Sequence, residues 1–239
     1  MGGIDMKKRG IIIISTVALF SICSATVFAA NRFHTSTFDS FFNKVEDIQK
    51  HENEEVAVTV NGEKIYQSTV NLQLEYSKLS YLMSVNQLES KDIPEEQKQQ
   101  LLEKIKSLQQ TEDGILNQLI KESVILQEAE RQGITFSDEE AMSYALEQFA
   151  LVKNSVVTDD TSPTGILNYE FFKKYIAALH LTEEQYIDKA AEAYKRMFII
   201  KKFNETIAAV NQTPSSIEES NLSSYVDSLL SQAEIVYMK

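Results

Sequence analysis

Three prolines and seven glycines are all the strong helix breakers in 239 residues. A chain so poor in them cannot supply the turns that a multi-stranded sandwich or barrel requires, and collagen-like and low-complexity architectures are excluded on the same ground. What remains is a mainly α, globular fold, and 43% apolar residues is ample for its core. A single cysteine removes both an intramolecular disulfide framework and a Cys-based zinc cage, so packing has to hold the fold. The formal net charge of −12 argues against nucleic acid or anionic lipid as the main partner, because both are bound through clustered Lys and Arg.

The N-terminus carries an export signal. Lys7, Lys8 and Arg9 precede Gly10 to Ile22, apolar except for Ser15, Thr16 and Ser21, and smaller residues follow up to Ala29-Ala30. Positive, apolar and small-residue zones in that order mark a secretory signal, with Val27 and Ala29 at positions −3 and −1 of a cleavage site. Cleavage after Ala29 is the first reading. Retention as a membrane tether through residues 10–30 is the second, since that run has about the length of a bilayer core and its N-terminal positive charge places the rest outside. Lipidation at Cys23 is a third, set back by Ile22 where a small residue is wanted. Every one of them puts the domain outside the cytoplasm, secreted or anchored to the outer face of the membrane. Residues 1–30 hold three positive charges against Asp5, so their removal takes −12 to −14.

Apolar spacing divides the remainder into residues 31–55, an amphipathic helix and linker, and residues 56–239, a helical domain. Phe38, Phe41, Phe42, Val45 and Ile48 recur at helical spacing, ending before the charged run His51 to Glu55. With few cations on its polar face, this helix is expected to pack on its own domain rather than lie on a membrane. Val56 to Val60, Asn61-Gly62 and Glu63 to Tyr66 read as a β-hairpin, because Asn-Gly accepts positive φ at both turn positions. Ser68 is placed to cap a helix bearing Leu72, Tyr76, Leu79 and Met83, and Pro94 to open another with Leu101, Leu102, Ile105 and Leu108. Gly114 reads as a break or kink.

From Ile115 to Arg131 apolar residues cover more than one stripe, as in a central helix packed on two sides. Gly133 stands where a left-handed cap belongs, and Ser137 with Glu140 forms a capping box for a helix whose buried face is Met142, Ala145, Leu146, Phe149 and Val152. Residues 154–165 read as a loop. Tyr169, Phe172, Ile176 and Leu179 mark the next helix, and Thr182 with Gln185 boxes a long one through Tyr186, Ala190, Tyr194, Met197 and Phe198. Pro214 precedes a last helix with Ile217, Tyr225 and Leu229. Residues 233–238 are β-like and need a partner, and the hairpin near Val58 is the expected one.

The stretch Val56 to Ile65 resembles the opening strand of the SurA, PrsA and PpiD type of extracytoplasmic chaperone. Ile115 to Ile120, continued by Gln127-Glu128-Ala129-Glu130-Arg131-Gln132-Gly133 and Ile134 to Glu140, is similar to that family's central helix, glycine stop and next capped helix. Leu181-Thr182-Glu183-Glu184-Gln185-Tyr186 is similar to the following element. The resemblance implies a SurA N-terminal-like helical module in which N-terminal and C-terminal helices form one unit, and the hairpin and C-terminal strand read above complete it as a small sheet. It also implies ATP-independent binding of unfolded or newly translocated polypeptides. Parvulin isomerase domains in that family are inserted between the long and last helices, and here about residues 209–216 leave no room for one, so isomerase activity is not expected.

A cradle of this kind holds extended, non-native chains by apolar burial, at about 25 cal/mol per Å², and aromatic and Met side chains suit varied sequences. Tyr76, Tyr81, Met83, Phe149, Tyr169, Phe172 and Tyr175 are the candidates for its polypeptide-binding face. A structural or adaptor module docking one specific envelope partner is the alternative. No catalytic residue, metal or cofactor is expected. His34, His51 and His180 lack metal-ligand spacing, no Gly-rich phosphate loop or Gly-x-Ser-x-Gly elbow occurs, and Asp159-Asp160 and Glu218-Glu219 lack the alternation of a calcium loop.

Overall fold

The structure, a computed structural model, describes residues 35–89, 91–154, 163–210 and 215–238. The export segment at residues 1–30, His34, Asp159-Asp160 and Pro214 lie outside the described residues. In chain order the elements are α1 (Thr35–Lys50), β1 (Val56–Val60), β2 (Glu63–Tyr66), α2 (Gln67–Glu89), α3 (Glu95–Ser107), α4 (Glu112–Arg131), α5 (Asp138–Asn154), α6 (Pro163–Ala178), α7 (Glu183–Val210), α8 (Ser215–Gln232) and β3 (Ile235–Tyr237). The fold is the expected one, mainly α with a three-stranded antiparallel sheet.

The sheet has the order β2-β1-β3. Asn61 (φ 51°) and Gly62 (φ 82°) both sit in the left-handed region, the geometry whose twist matches a two-residue hairpin. The expected closing pair forms at the other side of β1, with Val58 opposite Tyr237 and Val60 opposite Ile235. Asn61 fastens three elements together. Its Nδ2 donates to Gln127 Oε1 of α4 at 2.7 Å, and its Oδ1 accepts from the Glu234 N–H, before β3, at 2.8 Å.

Three apolar clusters hold the helices. The largest gathers Phe41, Phe42 and Val45 of α1 with Tyr76 and Leu79 of α2, Phe149 of α5, Phe172 and Tyr175 of α6, and Tyr186 of α7. α1 therefore packs on its own domain, as its sparse cations suggested, with Phe41 stacked on Tyr175 at 6.3 Å. A second cluster packs the sheet, through Val58, Val60 and Ile65, onto Ile115, Leu119 and Val124 of α4. A third joins Ile125 and Ala129, further along α4, to Phe203 of α7 and Val226 of α8. α4 is thus packed along its length, the two-sided helix its sequence predicts.

Helix ends follow their caps closely. The Thr182 N–H donates to Gln185 Oε1 (2.9 Å) while the Gln185 N–H donates to Thr182 Oγ1 (3.2 Å), a reciprocal box opening α7. Ser137 Oγ accepts from the Glu140 N–H at 3.3 Å at the start of α5. α4 ends on Gly133 at φ 71° with the Ile134 N–H on the Ala129 carbonyl and the Gly133 N–H on the Glu130 carbonyl, a Schellman motif. α6 ends on the same motif with His180 at the glycine position, φ 54°.

Four expectations need correction. α2 begins at Gln67, one residue before Ser68, whose buried Oγ has no hydrogen-bond partner among the described residues and caps nothing. Gly114 is no break: it lies in the first turn of α4 and donates its N–H to Thr111 Oγ1, the true cap, at 3.1 Å. Leu146 is exposed rather than buried, because α5 turns Ala141, Ala145 and Phe149 inward instead. The loop expected to end at Gly165 gives way to α6 already at Pro163, a residue suited to a first helical turn.

Candidate polypeptide-binding surface

Five of the seven candidate residues are core. Phe172 and Tyr175 are each 1% exposed, and Tyr76, Met83 and Phe149 are also buried. Phe172 packs edge-on to Phe149 and to Tyr186, and Tyr175 to Tyr76. Side chains sealed in this way offer no surface to another chain unless the bundle opens. Tyr81 and Tyr169 are half-buried. Tyr169 lies beside Lys173 and donates its hydroxyl to Glu183 Oε1 at 3.2 Å, so its ring is held against the N-terminus of α7. The structure brings six of the seven near the largest cluster and leaves Tyr81 apart from it.

Apolar surface lies elsewhere, on the pair α2 and α3. α3 has no buried residue. Leu101 and Leu108 are exposed, Leu108 at 70%, and Leu102 and Ile105 are half-buried. Leu82 of α2 is exposed as well, and Tyr81 beside it is half-covered. The pair is fastened at both ends by polar contacts. Lys98 Nζ donates to the Glu89 carbonyl at 3.4 Å, and the Gln110 N–H donates to Ser77 Oγ at 3.1 Å. A helix normally buries one apolar stripe, whereas α3 fully buries none of its apolar residues and leaves Leu101 exposed. A signal for this was legible: the first six residues of α3, Glu95 to Gln100, are all polar, too few apolar positions remaining to seat the helix in a core.

Two polar assemblies among the described residues brace the module. Ser123 Oγ and Gln127 Nε2 both donate to Glu63 Oε2 at 3.0 Å, tying the hairpin to α4. Nearby, the Glu122 carboxyl is raised by burial, and the Arg196 guanidinium of α7 is lowered by burial while Glu63 and Glu122 pull it back up. At the far end of α4, Arg131 grips Glu128 through two 2.6 Å bonds and Tyr225 of α8 donates to the same carboxylate at 2.8 Å. The Arg131 bond comes first in holding the Glu128 carboxyl down at about 2. Glu128, Arg131 and Tyr225 are engaged with each other in the manner of a structural ion pair, whereas Glu122 Oε2 and Arg196 Nε are buried without a hydrogen-bond partner among the described residues. Among the described residues no group of His, Cys, Asp and Glu is placed to hold a metal ion, and no helix is long and apolar enough to cross a membrane.

The sequence of the chain matches the family model of the SurA-like N-terminal domain over residues 1–173. The chain belongs to that family. SurA-like N-terminal domains are chaperone-type modules. The match ends within α6, yet the SurA-like core here is completed from beyond it, by Tyr186 and Phe203 of α7, Val226 of α8 and Ile235 of β3. Residues 211–214 alone join α7 to α8, leaving no place there for a parvulin domain. No curated protein and no solved structure matches the chain.

Proposed function

We propose that the chain is an exported or membrane-tethered, ATP-independent chaperone that binds unfolded or newly translocated polypeptides without catalysing a reaction on them. The observation that carries this reading is α3, a helix with apolar residues and no buried one, packed on α2, which carries the exposed Leu82. Apolar surface left in water is a binding surface when another chain covers it, at about 25 cal/mol per Å² of apolar area removed from solvent. Leucine contacts are non-directional, so one such surface serves many sequences. The net charge of −12 keeps a protein bearing such a surface soluble. Tyr81 and Tyr169 remain proposed contributors, through their partly exposed rings.

Suppression of aggregation tests the reading. The chain should protect an unrelated denatured client at near-stoichiometric ratio, without nucleotide, and Leu101→Ser with Leu108→Ser should remove most of that protection while leaving the helical circular dichroism intact. A chain that protects no unrelated client but binds one folded envelope protein is an adaptor, and the proposal falls. For the export segment, N-terminal sequencing of the protein recovered outside the cytoplasm distinguishes cleavage after Ala29 from a retained tether at residues 10–30.

A further inference from the structure

β3 forms one edge of the sheet, and its ladder to β1 uses alternate residues. The Asn61 N–H donates to the Glu234 carbonyl at 2.8 Å and the Met238 N–H to the Ala57 carbonyl at 3.0 Å, with Val236 opposite Thr59 between them. Antiparallel alternation then turns the N–H and C=O groups of Ile235 and Tyr237 away from β1. None of those outward groups has a backbone partner among the described residues.

Sheet edges are ordinarily guarded by charge, proline or a bulge. The opposite edge obeys this rule, since β2 carries exposed Lys64 next to Glu63, which is itself fixed to α4. β3 carries no charge, proline or bulge of its own, and its three-residue length is its one guard. Ile235-Val236-Tyr237-Met238 is an unbroken apolar run, and Val236, Tyr237 and Met238 are 43%, 58% and 47% exposed.

The geometry points to β3 as a docking edge for one added strand, an extended apolar segment of neutral or positive charge from a non-native polypeptide. This rests on the chaperone reading and adds how a client would be held. Main-chain hydrogen bonds to Ile235 and Tyr237 take any sequence that can lie extended, and Val236, Tyr237 and Met238 add apolar contact. Charge selects against a second copy of this chain, which would bring another −12 to the edge beside exposed Glu234, and favours segments bearing Lys or Arg.

The test titrates the full-length chain with a short labelled peptide of alternating Val and Thr, Lys at each end, followed by fluorescence anisotropy. A matched peptide, N-methylated at every central residue, keeps the side chains but can donate from neither edge. Loss of its donors should weaken binding by about tenfold or more, and replacing the terminal Lys by Glu should weaken it further. Tyr237→Pro removes an outward N–H while Val236 and Met238 keep theirs, so it should lose the parent peptide with unchanged circular dichroism. Equal affinity for the parent and N-methylated peptides overturns the docking edge and leaves the chaperone reading standing. So does failure of both to bind while client protection persists. Failure to bind together with failure to protect overturns both. Concentration-dependent dimers abolished by Tyr237→Pro would give the edge to a second copy and overturn the proposal as well.

Discussion

Tyr225 donates its hydroxyl to the Glu128 carboxylate at 2.8 Å and thereby ties α8 to α4, across a carboxylate already gripped by Arg131. The bond makes the attachment of the last helix sensitive to acid. Glu128 is held at about 2 against an ordinary 4.5, so the stability it contributes is fully present above 4.5 and is lost as pH falls toward about 2. Thermal melts across that window should show Tm falling in the native chain and falling less steeply in Glu128→Gln. Tyr225→Phe should cost about 1 kcal/mol at neutral pH, and a Tyr225→Phe chain as stable as the parent would show the bond to be idle.

The two Schellman ends predict substitutions of opposite sign. His180 occupies at φ 54° a position that glycine fills at Gly133, and a side chain with a Cβ is strained there. His180→Gly should stabilise by about 0.5 kcal/mol or more, and Gly133→Ala should destabilise by about 1 kcal/mol. Nothing lies within 4 Å of a Cβ built on Gly133, so the loss in the second case is one of backbone conformation alone. Urea unfolding with unchanged m-value measures both.

Core and surface separate under truncation. Phe172→Ala empties a site 1% exposed and should cost about 3–5 kcal/mol, enough to leave much of the chain unfolded. Leu108→Ser, at 70% exposure, should shift stability by no more than about 0.5 kcal/mol. Equal losses in the two variants would mean that α3 is seated in a core after all.

Asn61 offers a way to separate backbone from side chain. Asn61→Gly keeps the left-handed turn and loses the bonds to Gln127 and Glu234, whereas Asn61→Ala loses both bonds and strains the turn as well. The glycine variant should therefore lie between the native chain and the alanine variant, each step about 1 kcal/mol. Hydrogen exchange at Glu234 should quicken in both, because its N–H has lost its acceptor.

Local chemistry made much of this fold legible. Asn-Gly, the Thr182–Gln185 box and Gly133 act on backbone within a few residues, so their effects are written where they occur. The pairing of β3 with β1 was legible by elimination, since β-like sequence elsewhere was confined to the hairpin. Coverage was not. A period of 3.6 marks which residues share a face and says nothing of what lies upon it, and that is why Tyr76, Phe172 and Tyr175 pass equally well for wall or core until α1, α6 and α7 are seen to close over them. Gly114 misled for a related reason: glycine in the first turn of a helix and glycine at a break look alike until Thr111 is found capping it. The Glu128–Tyr225 bond joins residues 97 apart in the chain, beyond the reach of any spacing rule.

Because Val58 meets Tyr237, the opening strand waits for the final one. A chain made from its N-terminus presents β1 and β2 early, and the sheet stays a bare hairpin, marginal by itself, until β3 follows. Loop closure over so long a stretch is slow to form, so completion of this sheet is a late event in the folding of the module.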